Sequence, residues 1–229
     1  MKNNKPNVPS ELVTTACLSG SLSIILSLTS ITYCILGLIY RYECSVGNLT
    51  NRNGAEYFFA TILQTYILNE KCSTANNVYN ITKANSVFIL AIIILVFAAV
   101  NFITAITLVS ASKLEEASKN IDIVAYIHIG VSVACLVVDL TLGVHFGMDY
   151  TNLTNYLALN APGLETNYEI DSIRIGAFLL MTLSLKGYIG HAINLILLVL
   201  LICHVVEYQN ISQENEHAIH TLGVLNAFE

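Results

Sequence analysis

Apolar residues gather into four long stretches separated by polar ones. The first runs from Leu12 to Tyr40 and is rich in Ser and Thr. The second, Ser86–Ser112, has VFILAIIILVFAAVNFITAITLV at its centre; the third is Ile123–Gly147 and the fourth Gly176–Val206. Each exceeds the roughly 20 helical residues that cross the hydrocarbon core of a bilayer. Pro6, Pro9 and Pro162 all fall outside these stretches. Unbroken helices require that, because proline removes a backbone donor and clashes with the preceding turn. The pattern predicts an all-α integral membrane four-helix bundle, one four-span domain over residues 1–229. The opening apolar run is too long for the core of a cleavable signal peptide, about 7–15 residues, and reads as a retained signal-anchor.

The connections predict the layout. A loop of about 45 residues, 41–85, joins the first two spans. The hydrophilic link KLEEASKNID joins the next two, and MDYTNLTNYLALNAPGLETNYEIDSIRI leads to the fourth. The tail, 207–229, is acidic and reads as mobile. Lys2, Lys5, Lys113 and Lys119 lie on the side of the termini and short link, against Arg41, Arg52, Lys71, Lys83 and Arg174 on the other. Short segments weigh more in the positive-inside rule. The termini are therefore expected to be cytoplasmic; the membrane expected is the plasma membrane.

Six cysteines occur. Cys17, Cys34, Cys135 and Cys203 fall within spans and read as small apolar packing residues, with Cys203 near the cytoplasmic end open to palmitoylation. Cys44 and Cys72 share the large loop, and an oxidising outer compartment would pair them. Between them AEYFFATILQTYIL carries Tyr57, Phe58, Ile62 and Tyr66 at near-helical spacing, which predicts a short amphipathic helix or strand pair over the mouth of the bundle. Glycosylation tripeptides on the outer side start at Asn48, Asn80 and Asn152, and a fourth lies in the tail at Asn210.

Composition agrees with the pattern. The chain is 55% hydrophobic and only 11% charged, with mean hydropathy +0.64, whereas soluble domains carry about 25% charged residues. The net charge of -6 forms no basic patch that would point to nucleic acid. There is no Trp, and the 12 Tyr can serve as interfacial anchors instead.

Few polar residues enter the spans, and they are costly there, roughly 2.5–3.5 kcal/mol for a charge at the centre of a helix. Asp139 lies in the third span and Lys186 in the fourth, at depths that let antiparallel neighbours meet. We expect an ion pair between them that fixes helix register, with His191 one turn beyond Lys186 and Asn194 nearby. The same group is what a proton or ion pathway would use. Asn101 is placed to hydrogen-bond across helices. Haem is not expected: His128 and His204 lie at similar depths, but His145 sits at the outer edge while His191 is deep, so a second axial pair is missing. No C-x-x-C redox centre occurs. No cofactor, metal or catalytic residue is therefore assigned. Ala16-x-x-x-Gly20 and Gly130-x-x-x-Ala134 are close-packing signals, for bundle packing or a homo-oligomer.

The layout resembles the four-span junction proteins of the claudin and MARVEL types and the insect septate-junction tetraspans. The shared features are cytoplasmic termini, a large first outer loop with a cysteine pair (Cys44, Cys72), a short inner link and a smaller cysteine-free second outer loop. The chain lacks the Trp-containing G-L-W signature of claudins and ends NAFE rather than in a hydrophobic PDZ ligand. Only the cysteine pair carries over by residue. The resemblance implies a non-enzymatic glycoprotein of cell junctions, or an accessory subunit, that binds other membrane proteins. The alternative is a small ion or proton transporter or channel component using Asp139, Lys186 and His191.

Overall fold

The computed structural model describes residues 8–49, 53–69, 71–72, 80–113, 120–160 and 164–225, without the side chains of 160, 164–167 and 215–225. Most of these residues are helical, and none of them lies in a strand. The main helices are α1 (Ser10–Tyr40), α2 (Ala55–Ile62), α3 (Ala84–Lys113), α4 (Ile121–Asn160), α5 (Leu164–Ser184) and α6 (Ile189–Leu225). A 3-10 turn covers Cys44–Gly47 and a wide π turn Leu63–Ile67. Four segments are long and apolar enough to cross a membrane: α1, α3, α4 and the α5–α6 pair.

The first two predicted spans match α1 and α3 to within two residues. The other two helical segments run past the predicted spans. α4 continues beyond Gly147 to Asn160. The fourth span falls on two helices: α5 starts at Leu164, before Gly176, and stops at Ser184, and α6 begins at Ile189. The acidic tail is helical as far as Leu225. The extensions have a packing cause: Leu153 on α4 and Ile170 on α5 are fully buried, with Ile173 and Ala177 continuing the α5 stripe into the same core.

The chain forms two compact units. One comprises Met1–Leu26, Val100–Val133 and Ala192–Glu229; the other comprises Ser27–Ala99 and Ala134–His191. The core of the first is Leu12, Ala16, Leu108, Ile121, Ala125, Ile129, Leu198, Leu201, Val205 and Tyr208. Here the Ala16/Gly20 pair acts as read: a Cβ on Gly20 would stand 2.6 Å from Val109 Cγ2 and 3.0 Å from the Ala105 carbonyl. Only glycine lets α1 and α3 approach that closely. Gly130 differs: among the described residues a Cβ there would meet nothing, so no close approach of helices within the chain requires this glycine.

The core of the second unit centres on Tyr66, Phe146, Leu142, Leu153, Ile170 and Ile173. In both units large apolar side chains also face outward, among them Ile25, Ile103, Ile127, Val144 and Ile196. Helices apolar all round are what a span in lipid requires; a water-facing helix would carry a single apolar stripe.

Candidate functional site

The site begins with the end of α5. The Gly187 N–H donates to the Thr182 carbonyl at 2.8 Å and the Lys186 N–H to the Leu183 carbonyl at 3.0 Å. These are the paired bonds of a Schellman ending. Such an ending needs a left-handed residue, normally glycine, and here that residue is Lys186 at φ 49°. Gly187 (φ 71°) and Tyr188 (φ 59°) continue the reversal. Left-handed backbone costs roughly 1–2 kcal/mol at a residue with a Cβ, so Lys186 and Tyr188 both hold strain. The amides of Leu185, Tyr188 and Ile189 also find carbonyls, at 3.0, 2.9 and 2.6 Å. The amides from Leu185 to Ile189 are thus all bonded, and a membrane interior would penalise bare ones.

The reversal aims Lys186 at α4. Its Nζ lies 2.5 Å from Asp139 Oδ2, and His191 Nε2, from the first turn of α6, lies 3.6 Å from the same oxygen. Asp139 is 3% exposed, and the side chains of Lys186 and His191 are nearly as enclosed. Among the described residues neither ring nitrogen of His191 has a hydrogen bond of good geometry. The two residues paired from sequence are thus in contact, and His191 joins them. Asn194 is buried on α6 in the other compact unit, its Oδ1 unpartnered.

A cavity of about 120 Å³ adjoins this group within the second unit. Side chains of α1, α3, α4 and α5 line it, and Ile67 comes from the π turn. Among the described residues Asp139 is its one charged wall residue.

Above the cavity lies the segment between α1 and α3. Cys44 and Cys72 form a disulfide with Cα atoms 5.0 Å apart. α2 docks on α5, where a Cβ on Gly176 would come within 2.5 Å of Ile62, and Tyr57 meets Tyr168 at 5.4 Å between ring centroids. Of the two forms predicted for this segment, the helix is the one present. Tyr66 is fully buried edge-on to Phe146, ring centroids 5.4 Å apart. Burial, reinforced by the Asp149 carboxylate, pushes the Tyr66 phenol well above the usual tyrosine range.

Two anchors of this segment have no counterpart in the sequence reading. Arg41, counted there as a loop charge, is 5% exposed. Its guanidinium donates to the Ile67 and Ala84 carbonyls, both at 3.3 Å, and to Asn85 Oδ1 at 3.2 Å, and it lies 3.9 Å from the centre of the Phe88 ring. Asp149 Oδ1 accepts from the N–H and hydroxyl of Thr82 at 2.9 and 3.0 Å, tying the approach to α3 onto α4.

A third polar group, in the first unit, was also missed. His128 is fully buried among hydroxyls, with Ser23 and Ser132 each 3.4 Å from Nε2 and Thr104 3.3 Å from Nδ1. Ser132 donates to Asn101 Oδ1 at 2.9 Å, so Asn101 does bond across helices, from α3 to α4. One signal was present: Ser19, Ser23 and Ser27 recur every four residues on α1, and all are buried. His204, considered with His128 for haem, instead faces Glu11 and Glu207 at 4.0 and 3.9 Å.

Of the glycosylation candidates, Asn48 and Asn80 are exposed. Asn152 lies on α4 rather than in a loop, and its Nδ2, the atom a glycan would occupy, donates to the Asn80 carbonyl at 3.4 Å. Compared with protein-family models, with curated proteins and with solved structures, the chain matches none of them.

Proposed function

We propose that this is a non-enzymatic multi-pass plasma-membrane protein that acts by protein–protein interaction, in cell–cell junction assembly or as an accessory subunit. In this reading the termini are cytoplasmic, the Cys44–Cys72 loop is extracellular, and Asn48 and Asn80 are the sequons open to glycosylation. One observation carries it: the loop between the first two spans is a pinned cap that leaves large aromatic side chains exposed. Tyr42 is 65% exposed and Phe59 61%. Aromatic side chains are the usual anchors of protein interfaces, and a cap already held in place loses little entropy on binding. The test is a Tyr42→Ala/Phe59→Ala variant in epithelial cells. Enrichment at contacts between expressing cells should fall to the level of free membrane at unchanged surface abundance. Undiminished enrichment would remove the cap from this role.

The break between α5 and α6 favours a second reading, an ion- or proton-conducting component using Asp139, Lys186 and His191. Broken helices at membrane depth recur where transporters bind substrates and ions, and strained backbone clusters at functional sites. Here Asp139→Asn should abolish a pH-gradient-driven flux in proteoliposomes. Wild-type vesicles no leakier than empty ones would dismiss this reading.

A further inference from the structure

The Asp139–Lys186 contact accounts for one carboxylate oxygen, and a cavity adjoins the pair. Lys186 and His191 both approach Oδ2, and among the described residues no hydrogen bond reaches Oδ1. Asp139 is a wall residue of the cavity, and a carboxylate among mostly apolar groups gains from a further donor. The cavity beside it has the bulk to hold a ligand group: at about 120 Å³ it approaches the engineered cavity of roughly 150 Å³ that takes up benzene. Its walls are mostly apolar, with Ile94, Phe146 and Leu180 among them, and Cys34 and Ser184 accompany Asp139. Tyr33 also lines it and is 46% exposed on the surface of α1, so the cavity reaches the face that lipid would cover.

We propose that this cavity binds a neutral lipophilic alcohol, an apolar body carrying one hydroxyl, which enters beside Tyr33 and donates to Asp139. Charge decides the headgroup. Lys186 already neutralises the carboxylate, so an added cation would face the ammonium and an added anion would face Asp139, each without compensation in an apolar enclosure. A hydroxyl supplies that further donor and adds no charge. The apolar body fills the space between Phe146 and Ile94, and the remainder of a longer chain leaves past Tyr33.

The experiment uses the full chain in phosphatidylcholine nanodiscs. The probe is a long-chain alcohol bearing a photoreactive diazirine, compared with the matching hydrocarbon and the matching fatty acid. The alcohol should label residues 30–37 and 87–94 selectively, and excess unlabelled alcohol should suppress that labelling. Leu142→Phe, which fills the cavity, should reduce it roughly tenfold in protein that still melts cooperatively. Should Leu142→Phe fail to fold, competition on the native chain decides alone. Equal labelling by the hydrocarbon, preference for the acid, or label spread evenly over the four spans would each overturn the proposal.

Discussion

Lys186→Met is expected to destabilise the protein by roughly 3–5 kcal/mol, the cost of leaving one member of a buried ion pair without its partner. Methionine retains the length and most of the bulk of the lysine stem. It also retains a Cβ, so the left-handed strain at φ 49° is carried over unchanged and the substitution isolates the charge. His191 stands 3.6 Å from the same oxygen, too far for a hydrogen bond that could replace the ammonium. For a chain of this size the loss corresponds to a drop in melting temperature on the order of 10 °C, readable by thermal unfolding in detergent. Asp139→Leu/Lys186→Met should recover most of it, because well-packed apolar groups often match or exceed a buried pair. A double variant no more stable than Lys186→Met would mean that the two side chains do not act as a pair.

The same residue shows where sequence reading stops. Four spans were legible because lipid requires about 20 apolar residues in a row, and that signal needs no neighbour to interpret it. The Asp139–Lys186 contact was legible because charges in an apolar run have few places to go. The break that makes the contact was not. It contains no proline, and it places a lysine and a tyrosine in a conformation that intrinsic preference opposes. Tertiary contacts hold it, and a single sequence does not display them.

The continuation of α4 and α5 past the predicted spans is a different case. Leu153, Tyr156 and Leu157 follow helical spacing within an otherwise polar stretch, as do Ile170, Ile173 and Ala177. The periodicity was there but was outweighed by the composition around it. The His128 pocket needed long-range knowledge. Ser132 is one turn away on α4, but Thr104 and Ser23 come from other helices, 24 and 105 residues distant. Arg41 was missed for a related reason: a cation just past a span reads as a solvated flank, whereas here the cap folds over it.

That cap is the subject of the second large effect. Cys44→Ser/Cys72→Ser opens a closed segment of 28 residues, which in the chain-entropy account removes about 3–4 kcal/mol. The loss should be local. The Arg41 N–H···O bonds to the Ile67 and Ala84 carbonyls and the seating of Ile62 against Gly176 hold the far side of the segment, while the disulfide and the Asn69 N–H to Arg41 carbonyl bond of 3.0 Å hold the near side. With one side released, hydrogen exchange at Ala60–Leu68 should accelerate by on the order of a hundredfold. Amides in the middle of α3 should keep their protection. An acceleration shared equally by α3 would mean that the bridge stabilises the helices as a whole, and unchanged exchange in Ala60–Leu68 would mean that Arg41 and Ile62 suffice. The local outcome is the one an interaction surface needs, because a cap that yields separately from its helices can be shaped by a partner without unfolding the spans that carry it.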